Sequence, residues 1–222
     1  MRHTGKVNKF IDLGDELLLY RKIKIILHVV QGLSFLHKHN IVHRDIKPHN
    51  ILINEDYSAK LGDYGLAEYV NNCDQHFSDH RSEGTINYMA PELLLSTSQL
   101  QSLEIIANSD AACDIYSLSI SIWQLVTHLK TFFNDTYSLN KICFFGIDSN
   151  DFEMLRNIQT RKSTLAELTQ PENMPEPIFI MFKNIVDKGS SMYPNIRPSA
   201  DDIIKELATT ITTYAPSIIG TI

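Results

Sequence analysis

The sequence predicts a mainly α-helical fold with short β-hairpins. Apolar residues recur at the 3.6-residue spacing of an α-helix in residues 19–36 and again in residues 178–186. Residues 114–127 are apolar on nearly every side, which is typical of a helix buried inside a core. Two short segments, residues 51–53 and 59–61, flank a polar turn and have the length of strands rather than helices. Helices should therefore form most of the core, with short strands at its edge.

The first helix is predicted to follow Gly14 and Asp15, which suit a helix start, and to end near His37. Because its apolar stripe covers one face only, the helix should pack on the core and lead the chain into a polar segment. The stripe consists of Leu19, Ile23, Ile26, Leu27, Val30, Leu33 and Leu36.

A hairpin is predicted next, because residues 51–53 and 59–61 flank a polar turn at residues 54–57. Asn50 immediately precedes the first strand and Asp63 closely follows the second. The hairpin should therefore bring these two oxygen-bearing side chains together.

Three further helices are predicted in the second half of the chain. The apolar segment 114–127 should be the central helix, and the stripe in residues 178–186 stops at Lys188-Gly189, a suitable helix exit. Ser199 has an acidic residue three positions later and apolar residues beyond it, an arrangement close to a capping box. A last helix should therefore begin there.

A polar segment, residues 43–50, lies between apolar flanks and carries groups suited to phosphoryl transfer. Asp45 can accept the proton of a substrate hydroxyl, and Lys47 can neutralise charge on the transferred group. Asn50 and, after the hairpin, Asp63 provide the oxygen ligands that Mg²⁺ prefers. The spacing of these four residues predicts one catalytic site.

This segment resembles the catalytic loop of eukaryotic-type protein kinases, whose H-R-D-x-K-x-x-N pattern is complete here. Lys47 and the segment 84–92 resemble the serine/threonine group, and residues 114–117 resemble the start of the family's buried central helix. Tyr116 and Ser119 replace the Trp and Gly usual there, so this helix should pack somewhat differently. A few residues show a distant similarity to the Mos group. The pattern residues are His43, Arg44, Asp45, Lys47 and Asn50.

The resemblance implies a protein kinase C-terminal (large) lobe over residues 1–222, with a catalytic loop at 43–50 and an activation segment at 63–92. It implies ATP and Mg²⁺ as cofactors and proteins with Ser or Thr hydroxyls as substrates. The implied catalytic residues are Asp45, Lys47 and Asn50. The implied ATP contacts are Lys47, Asn50, Leu52 and Asp63, and the implied Mg²⁺ ligands are Asn50 and Asp63.

The small β-rich lobe of the family is not found in the sequence. The nine glycines include no G-x-G-x-x-G spacing, and no lysine before residue 43 lies in a V-A-I-K-like strand. Two functions are therefore considered. The first is a serine/threonine kinase whose small lobe is encoded upstream or contributed by a partner. The alternative is a catalytically weak mimic of a kinase lobe that binds and modulates another kinase.

Composition excludes several other classes of protein. A net charge of −6 and a pI near 5.8 argue against a nucleic-acid or anionic-membrane surface, since such surfaces concentrate Lys and Arg. Three widely spaced cysteines do not resemble a secreted disulfide framework, and no signal core or membrane span is apparent. An intracellular location, cytoplasmic or nuclear, is expected.

Several expectations concern the activation segment and its surroundings. Arg44 resembles the residue that receives a phosphate from this segment, and Ser78 and Ser82 are the favoured phosphorylation sites. Glu92 and Arg197 are expected to form a buried ion pair. Residues 93–113 are expected to form a surface insertion. Cys73, His76 and His80 have a spacing that a zinc site could use. They lie in a segment that is usually a mobile regulatory loop in this family, and this second interpretation is favoured.

Overall fold

The computed structural model describes residues 8–9, 19–70, 88–94, 110–127, 170–171, 174–214 and 216. Within these ranges the fold is mainly helical, with five short strands. The helices are α1 (Leu19–Lys38), α2 (Pro91–Leu94), α3 (Asp110–Thr127), α4 (Glu176–Gly189) and α5 (Ala200–Tyr214). The strands are β1 (Asn8–Lys9), β2 (Ile41–Val42), β3 (Ile51–Ile53), β4 (Ala59–Leu61) and β5 (Glu68–Tyr69).

The strands form two small antiparallel sheets beside the end of α1. The order in the larger sheet is β1-β3-β4, and Ile51 of β3 pairs with Leu61 of β4. The smaller sheet pairs β2 with β5, and Val42 lies opposite Glu68. The polar segment 43–50 begins directly after β2 and ends directly before β3, so both of its ends are attached to sheets.

Helix α3 is the centre of the core. It packs against α4 on one side and approaches α1 on the other, while α1 also packs against α5 and β4. Trp123 of α3, Phe182 of α4 and Ile23 of α1 are fully buried. A helix buried on every side is the expectation for residues 114–127, and the structure confirms it for residues 114–126.

Helix α3 begins four residues earlier than the sequence pattern indicated. Ala112 and Cys113, which were expected in a surface insertion, lie in its first turn and are buried. Residues 93–94 likewise belong to the short helix α2. The surface insertion predicted for residues 93–113 is therefore wrong at both of its ends. Residues there belong to helices α2 and α3, and the apolar ones join the core.

The remaining element predictions are confirmed where the structure describes them, whereas Gly14 and Asp15, the predicted start of the first helix, lie outside the described residues. Helix α1 spans the predicted stripe, and β3 and β4 are the two strands of the predicted hairpin. At the start of α5, the hydroxyl of Ser199 accepts the backbone N–H of Asp202, and the Asp202 carboxylate accepts the N–H and O–H of Ser199. This reciprocal pair is a capping box with Asp in place of Glu.

Helices α3 and α4 approach closely where Ser119 faces Gly189. A Cβ atom added to Gly189 would overlap the Ser119 hydroxyl oxygen. The hydroxyl itself donates to the backbone carbonyl of Ile115 in the preceding turn, at 2.8 Å. The side chain of Ser119 therefore occupies space that only a glycine leaves open in α4.

Part of what the sequence predicted lies outside the described residues. This applies to residues 71–87, which contain the proposed phosphorylation sites and the candidate zinc ligands, and to residues 95–109. In the part of the chain that is described, no helix is long and apolar enough to cross a membrane.

Candidate active site

The candidate active site is centred on the carboxylate of Asp45, whose side chain is 9% exposed. Its Oδ2 atom accepts hydrogen bonds from Lys47 Nζ at 2.5 Å and from Asn50 Nδ2 at 2.8 Å. The Asn50 amide also donates to the backbone carbonyl of Asp45, at 2.8 Å. The structure thus brings together the three residues that the sequence assigned to catalysis. Their contacts fix the direction in which the carboxylate points.

The backbone before Asp45 is held by another carboxylate, that of Asp114 in α3. Asp114 is fully buried and accepts the backbone N–H groups of His43 and Arg44, both at 2.8 Å. His37 Nε2 at the end of α1 lies 3.0 Å from the same carboxylate. Because hydrogen bonds to a carboxylate are stronger than neutral ones, Asp114 ties the loop firmly to the central helix.

Arg44 adopts a left-handed backbone conformation, with φ of 63°. A residue with a long side chain rarely occupies this region, and it costs about 1–2 kcal/mol relative to a right-handed conformation. The hydrogen bond from the Arg44 N–H to Asp114 compensates for part of this cost. The turn at Arg44 directs the chain so that Asp45 faces Lys47 and Asn50.

His43 has a structural role, as the sequence suggested. Its ring is fully buried, and Nε2 lies 3.1 Å from the backbone carbonyl of Gly62 after the hairpin. The ring also lies 5.0 Å from that of Tyr64, whose hydroxyl donates to the carbonyl of Leu61 at 3.3 Å. His43 therefore links the start of the polar loop to the segment that carries Asp63.

The hairpin places Asn50 and Asp63 at the same end of the larger sheet. The backbone N–H of Gly62 donates to the carbonyl of Asn50 at 2.8 Å. Asp63 is the next residue after this contact. The Asp63 side chain is exposed and its backbone is left-handed, with φ of 59°. It is not hydrogen-bonded to Asn50 in the described part of the chain.

The donor atoms of these two residues suit a hard cation. Both amide protons donated by Asn50 go to Asp45, which leaves the amide oxygen Oδ1 for another partner. The exposed carboxylate of Asp63 provides further oxygen atoms, and Mg²⁺ prefers such ligands together with water and phosphate oxygens. The residues present thus fit a magnesium ion.

Leu52 lies in β3, between Asn50 and Asp63 in the sequence, and is 40% exposed. A Cβ atom on Gly62 would come within 3.0 Å of its side chain, so glycine leaves room for Leu52 to lie across the hairpin. An exposed leucine beside the polar cluster provides an apolar surface against which a flat ring can pack.

One partner of the loop escaped the sequence analysis, namely Glu68 on β5. Its carboxylate forms an ion pair with the guanidinium of Arg44. The only sequence signal for it is an acidic residue two positions after a turn, which is too common to single out. The pairing of β2 with β5 is what places it beside Arg44.

Glu92 anchors the short helix α2 to the helical core. Arg197 donates from its two terminal nitrogens to the two Glu92 carboxylate oxygens, at 2.6 and 2.7 Å. The same guanidinium donates to the backbone carbonyls of Ala112 and Ser191, both at 2.9 Å. The predicted buried ion pair is confirmed.

A further titratable group near the site is the thiol of Cys113, next to Asp114. Burial raises the pKa of the Cys113 thiol well above its usual range, with a further contribution from the Asp114 carboxylate. The thiol therefore stays protonated and is a poor nucleophile or metal ligand. In the ranges that the structure covers, no cluster of three His, Cys, Asp or Glu residues is arranged to hold a metal ion.

The sequence matches the family model of the protein kinase domain over residues 3–207. It is 28% identical over 204 residues to serine/threonine-protein kinase TAO1-B of Xenopus laevis, which covers 91% of this chain and 17% of that protein. It is 39% identical over 115 residues to the proto-oncogene serine/threonine-protein kinase mos of Sus scrofa, covering 51% of this chain and 30% of mos. This chain therefore spans less than a third of the length of these curated relatives.

Proposed function

This chain belongs to the protein kinase domain family, and from that premise we propose that residues 1–222 act as the large lobe of a serine/threonine protein kinase. The reaction transfers the γ-phosphoryl group of ATP to a Ser or Thr hydroxyl of a protein substrate. The observation that carries the proposal is the Asp45 carboxylate, oriented by Lys47 and Asn50. Serine/threonine kinases among the relatives support the choice of hydroxyl.

Asp45 is the catalytic base in this proposal. The substrate oxygen forms a bond to the γ-phosphorus while the bond from that phosphorus to the ADP oxygen breaks. The hydroxyl proton passes to the carboxylate of Asp45. Lys47 and Asn50 bind the Oδ2 atom of this carboxylate and thereby orient its second oxygen, Oδ1. Because phosphoryl transfer depends chiefly on positioning and electrostatics, a carboxylate of fixed direction is what the reaction requires.

Lys47 supplies positive charge next to the base. Its ammonium group lies 2.5 Å from Asp45 Oδ2 and its side chain is partly exposed, so it can also reach an incoming phosphate. Neutralising charge on the transferred group lowers the barrier when the site is shielded from water. Lys47 therefore serves both the base and the phosphate.

Asn50 and Asp63 would hold Mg²⁺ through the Asn50 amide oxygen and the Asp63 carboxylate, and Leu52 would pack against the adenine ring of ATP. When bound, the metal neutralises charge on the ATP phosphates. Asn50 would then connect the two functions, since its amide nitrogen orients Asp45 while its oxygen faces the cation.

The proposal also requires groups that the 222 residues do not contain. No G-x-G-x-x-G loop is present in this sequence to cover the ATP phosphates. We therefore expect phosphotransfer by residues 1–222 alone to be far below the roughly 1–100 per second of ordinary kinases. A small lobe supplied by further sequence or by a partner protein should raise it.

The experiment compares the parent chain with Asp45→Asn, using radiolabelled ATP, Mg²⁺ and generic peptides that contain either Ser/Thr or Tyr. We expect slow transfer to the Ser/Thr peptide by the parent and a further loss of about 10²–10⁴-fold in Asp45→Asn. Denaturation midpoints should stay close, because the substituted amide keeps the shape of the side chain. Equal transfer by the two chains would refute the role of Asp45.

A second function, a mimic that binds and modulates another kinase, is favoured by the lack of a glycine-rich loop. A mimic needs neither Asp45 nor bound nucleotide. Mg²⁺-dependent ATP binding, measured by titration calorimetry on the parent and on Asp63→Asn, separates the two. Binding that is lost in Asp63→Asn supports the kinase, whereas no binding to the parent favours the mimic.

A further inference from the structure

Arg44 needs a negatively charged partner because its side chain is only 9% exposed. A guanidinium at this depth loses most of its hydration, and leaving it without a compensating anion is strongly unfavourable. It also directly precedes Asp45, so its conformation affects the direction of the proposed base. What neutralises Arg44 therefore matters for the site.

The chain itself brings a carboxylate to this position. In the β2–β5 sheet Val42 lies opposite Glu68, and the backbone N–H of Val70 donates to the carbonyl of Asn40 at 2.7 Å. Arg44 follows two residues after Val42, a diagonal distance that a long side chain can span. The resulting ion pair depends on main-chain pairing close to the loop.

We infer that Glu68 is a positioning residue that supplies, from within the chain, the negative charge required by Arg44, in place of a phosphate added to the activation segment. The inference rests on the proposed kinase function, since it assigns Glu68 a role in orienting the catalytic loop. Arg44 is then fixed at both ends. Its backbone N–H is bound to Asp114, and its guanidinium is bound to Glu68.

This arrangement changes the expectation for regulation. A phosphate on Ser78 or Ser82 would have to compete with Glu68 for the guanidinium of Arg44. The two anions would also repel each other, because a phosphate carries a charge of about −1.5 to −2 at neutral pH. The loop should therefore hold its conformation without phosphorylation, and phosphate should gain access to Arg44 only when the Glu68 charge is removed.

The test uses inorganic phosphate as a probe and needs no phosphotransfer. Thermal denaturation of the full chain is followed at increasing phosphate and constant ionic strength for the parent, Glu68→Gln and Glu55→Gln. Glu55 is an exposed residue in the β3–β4 turn, so its substitution is a control for the same change in net charge. The double variant Arg44→Gln/Glu68→Gln shows whether any effect depends on the guanidinium.

We expect Glu68→Gln to have a lower Tm than the parent and to gain about 2–4 °C from phosphate in a saturable manner. The parent, Glu55→Gln and the double variant should show only a common, non-saturating salt effect. A saturable gain of equal size in the parent would overturn the inference, because Arg44 would then already accept an external anion. The absence of a saturable gain in Glu68→Gln would overturn it as well.

Hydrogen exchange separates positioning from general stability. In Glu68→Gln the amides of residues 43–50 should exchange faster while those of residues 200–214 do not change, and phosphate should restore protection of the loop. Uniform acceleration in both regions would contradict a positioning role.

If Glu68→Gln fails to fold, the exchanged pair Arg44→Glu/Glu68→Arg provides the test. It should be more stable than either single substitution, and a double variant no more stable than the singles would reject the pairing. None of these measurements requires catalysis. Failure of the proposed kinase function would therefore appear in the transfer assay, and failure of this inference would appear here.

Discussion

Two ion pairs of the same type differ in how completely they are removed from water. In the Glu92–Arg197 pair the side chains are 4% and 0% exposed, and the Arg197 guanidinium makes four hydrogen bonds of 2.6–2.9 Å. In the Asp45–Lys47 pair the side chains are 9% and 19% exposed, and the lysine is a point charge on a flexible stem. The guanidinium of the first pair is held by several protein acceptors, whereas the ammonium group of the second pair can change partners.

The difference separates stability from function. The planar guanidinium of Arg197 holds α2, the start of α3 and the segment before α5 in one arrangement. In the proposed mechanism, Lys47 can move from Asp45 to a phosphate while the fold stays intact. The predictions below test this contrast in the order of their expected effects.

The largest effect is expected for Arg197→Ala. Removing one partner of a buried ion pair leaves the other uncompensated and typically costs about 3–5 kcal/mol. The buried carbonyl of Ala112 and the partly buried carbonyl of Ser191 would lose their donor as well. Chemical denaturation should show a much lower midpoint for this variant than for the parent.

Lys183→Ala is the matched control, because Lys183 forms an exposed ion pair with Asp187 one turn along α4, at 2.7 Å. Such helix-surface pairs contribute only about 0.3–0.5 kcal/mol. If the denaturation midpoint of Arg197→Ala differs from that of the parent by no more than the midpoint of Lys183→Ala does, the buried pair does not stabilise the fold.

An intermediate effect is expected for Gly189→Ala. The added methyl group would overlap the Ser119 hydroxyl between α3 and α4, and overpacking of this kind costs about 1–3 kcal/mol. Ser119→Gly in the same chain should restore most of the lost stability. If the double variant is no more stable than Gly189→Ala alone in urea, the close approach of the two helices is not the cause.

The smallest effect on stability is expected for Lys47→Met. Lys47 is 19% exposed and Asn50 would still donate to the Asp45 carboxylate, so loss of the ammonium group should change the free energy of unfolding by only about 1 kcal/mol. Any phosphotransfer should nevertheless fall, since Asp45 loses a donor and the phosphate loses a positive charge. A loss of stability comparable to that of Arg197→Ala would mean that the site pair is structural after all.

The features that were predictable from the sequence are those encoded locally. The apolar patterns of α1 and α3 repeat along each helix. The capping box at Ser199 involves residues only three positions apart. The hairpin of β3 and β4 is likewise set by its own turn. The proximity of Asp45, Lys47 and Asn50 follows from their closeness in sequence and from the flanking strands. Glu92 and Arg197 are distant in sequence, and the resemblance to a family, not the spacing, indicated their pairing.

The features that were missed depend on how distant parts of the chain are brought together. Strand β5 has two residues and no periodicity, so neither its pairing with β2 nor the role of Glu68 could be inferred. The fit of Gly189 against Ser119 depends on the distance between two helices. The early start of α3 depends on burial of Ala112 and Cys113, which the sequence of a polar link does not indicate.

The carboxylate of Asp114 has a consequence for the order in which the protein forms during synthesis. Its bonds to His43, Arg44 and His37 span 71, 70 and 77 residues of the chain. At about 5–20 residues per second, the ribosome needs roughly 4–14 s after making Arg44 before it makes Asp114. During that time the left-handed turn at Arg44 lacks the acceptor that stabilises it. The polar segment 43–50 is thus translated early but can reach its final shape only after the central helix has emerged.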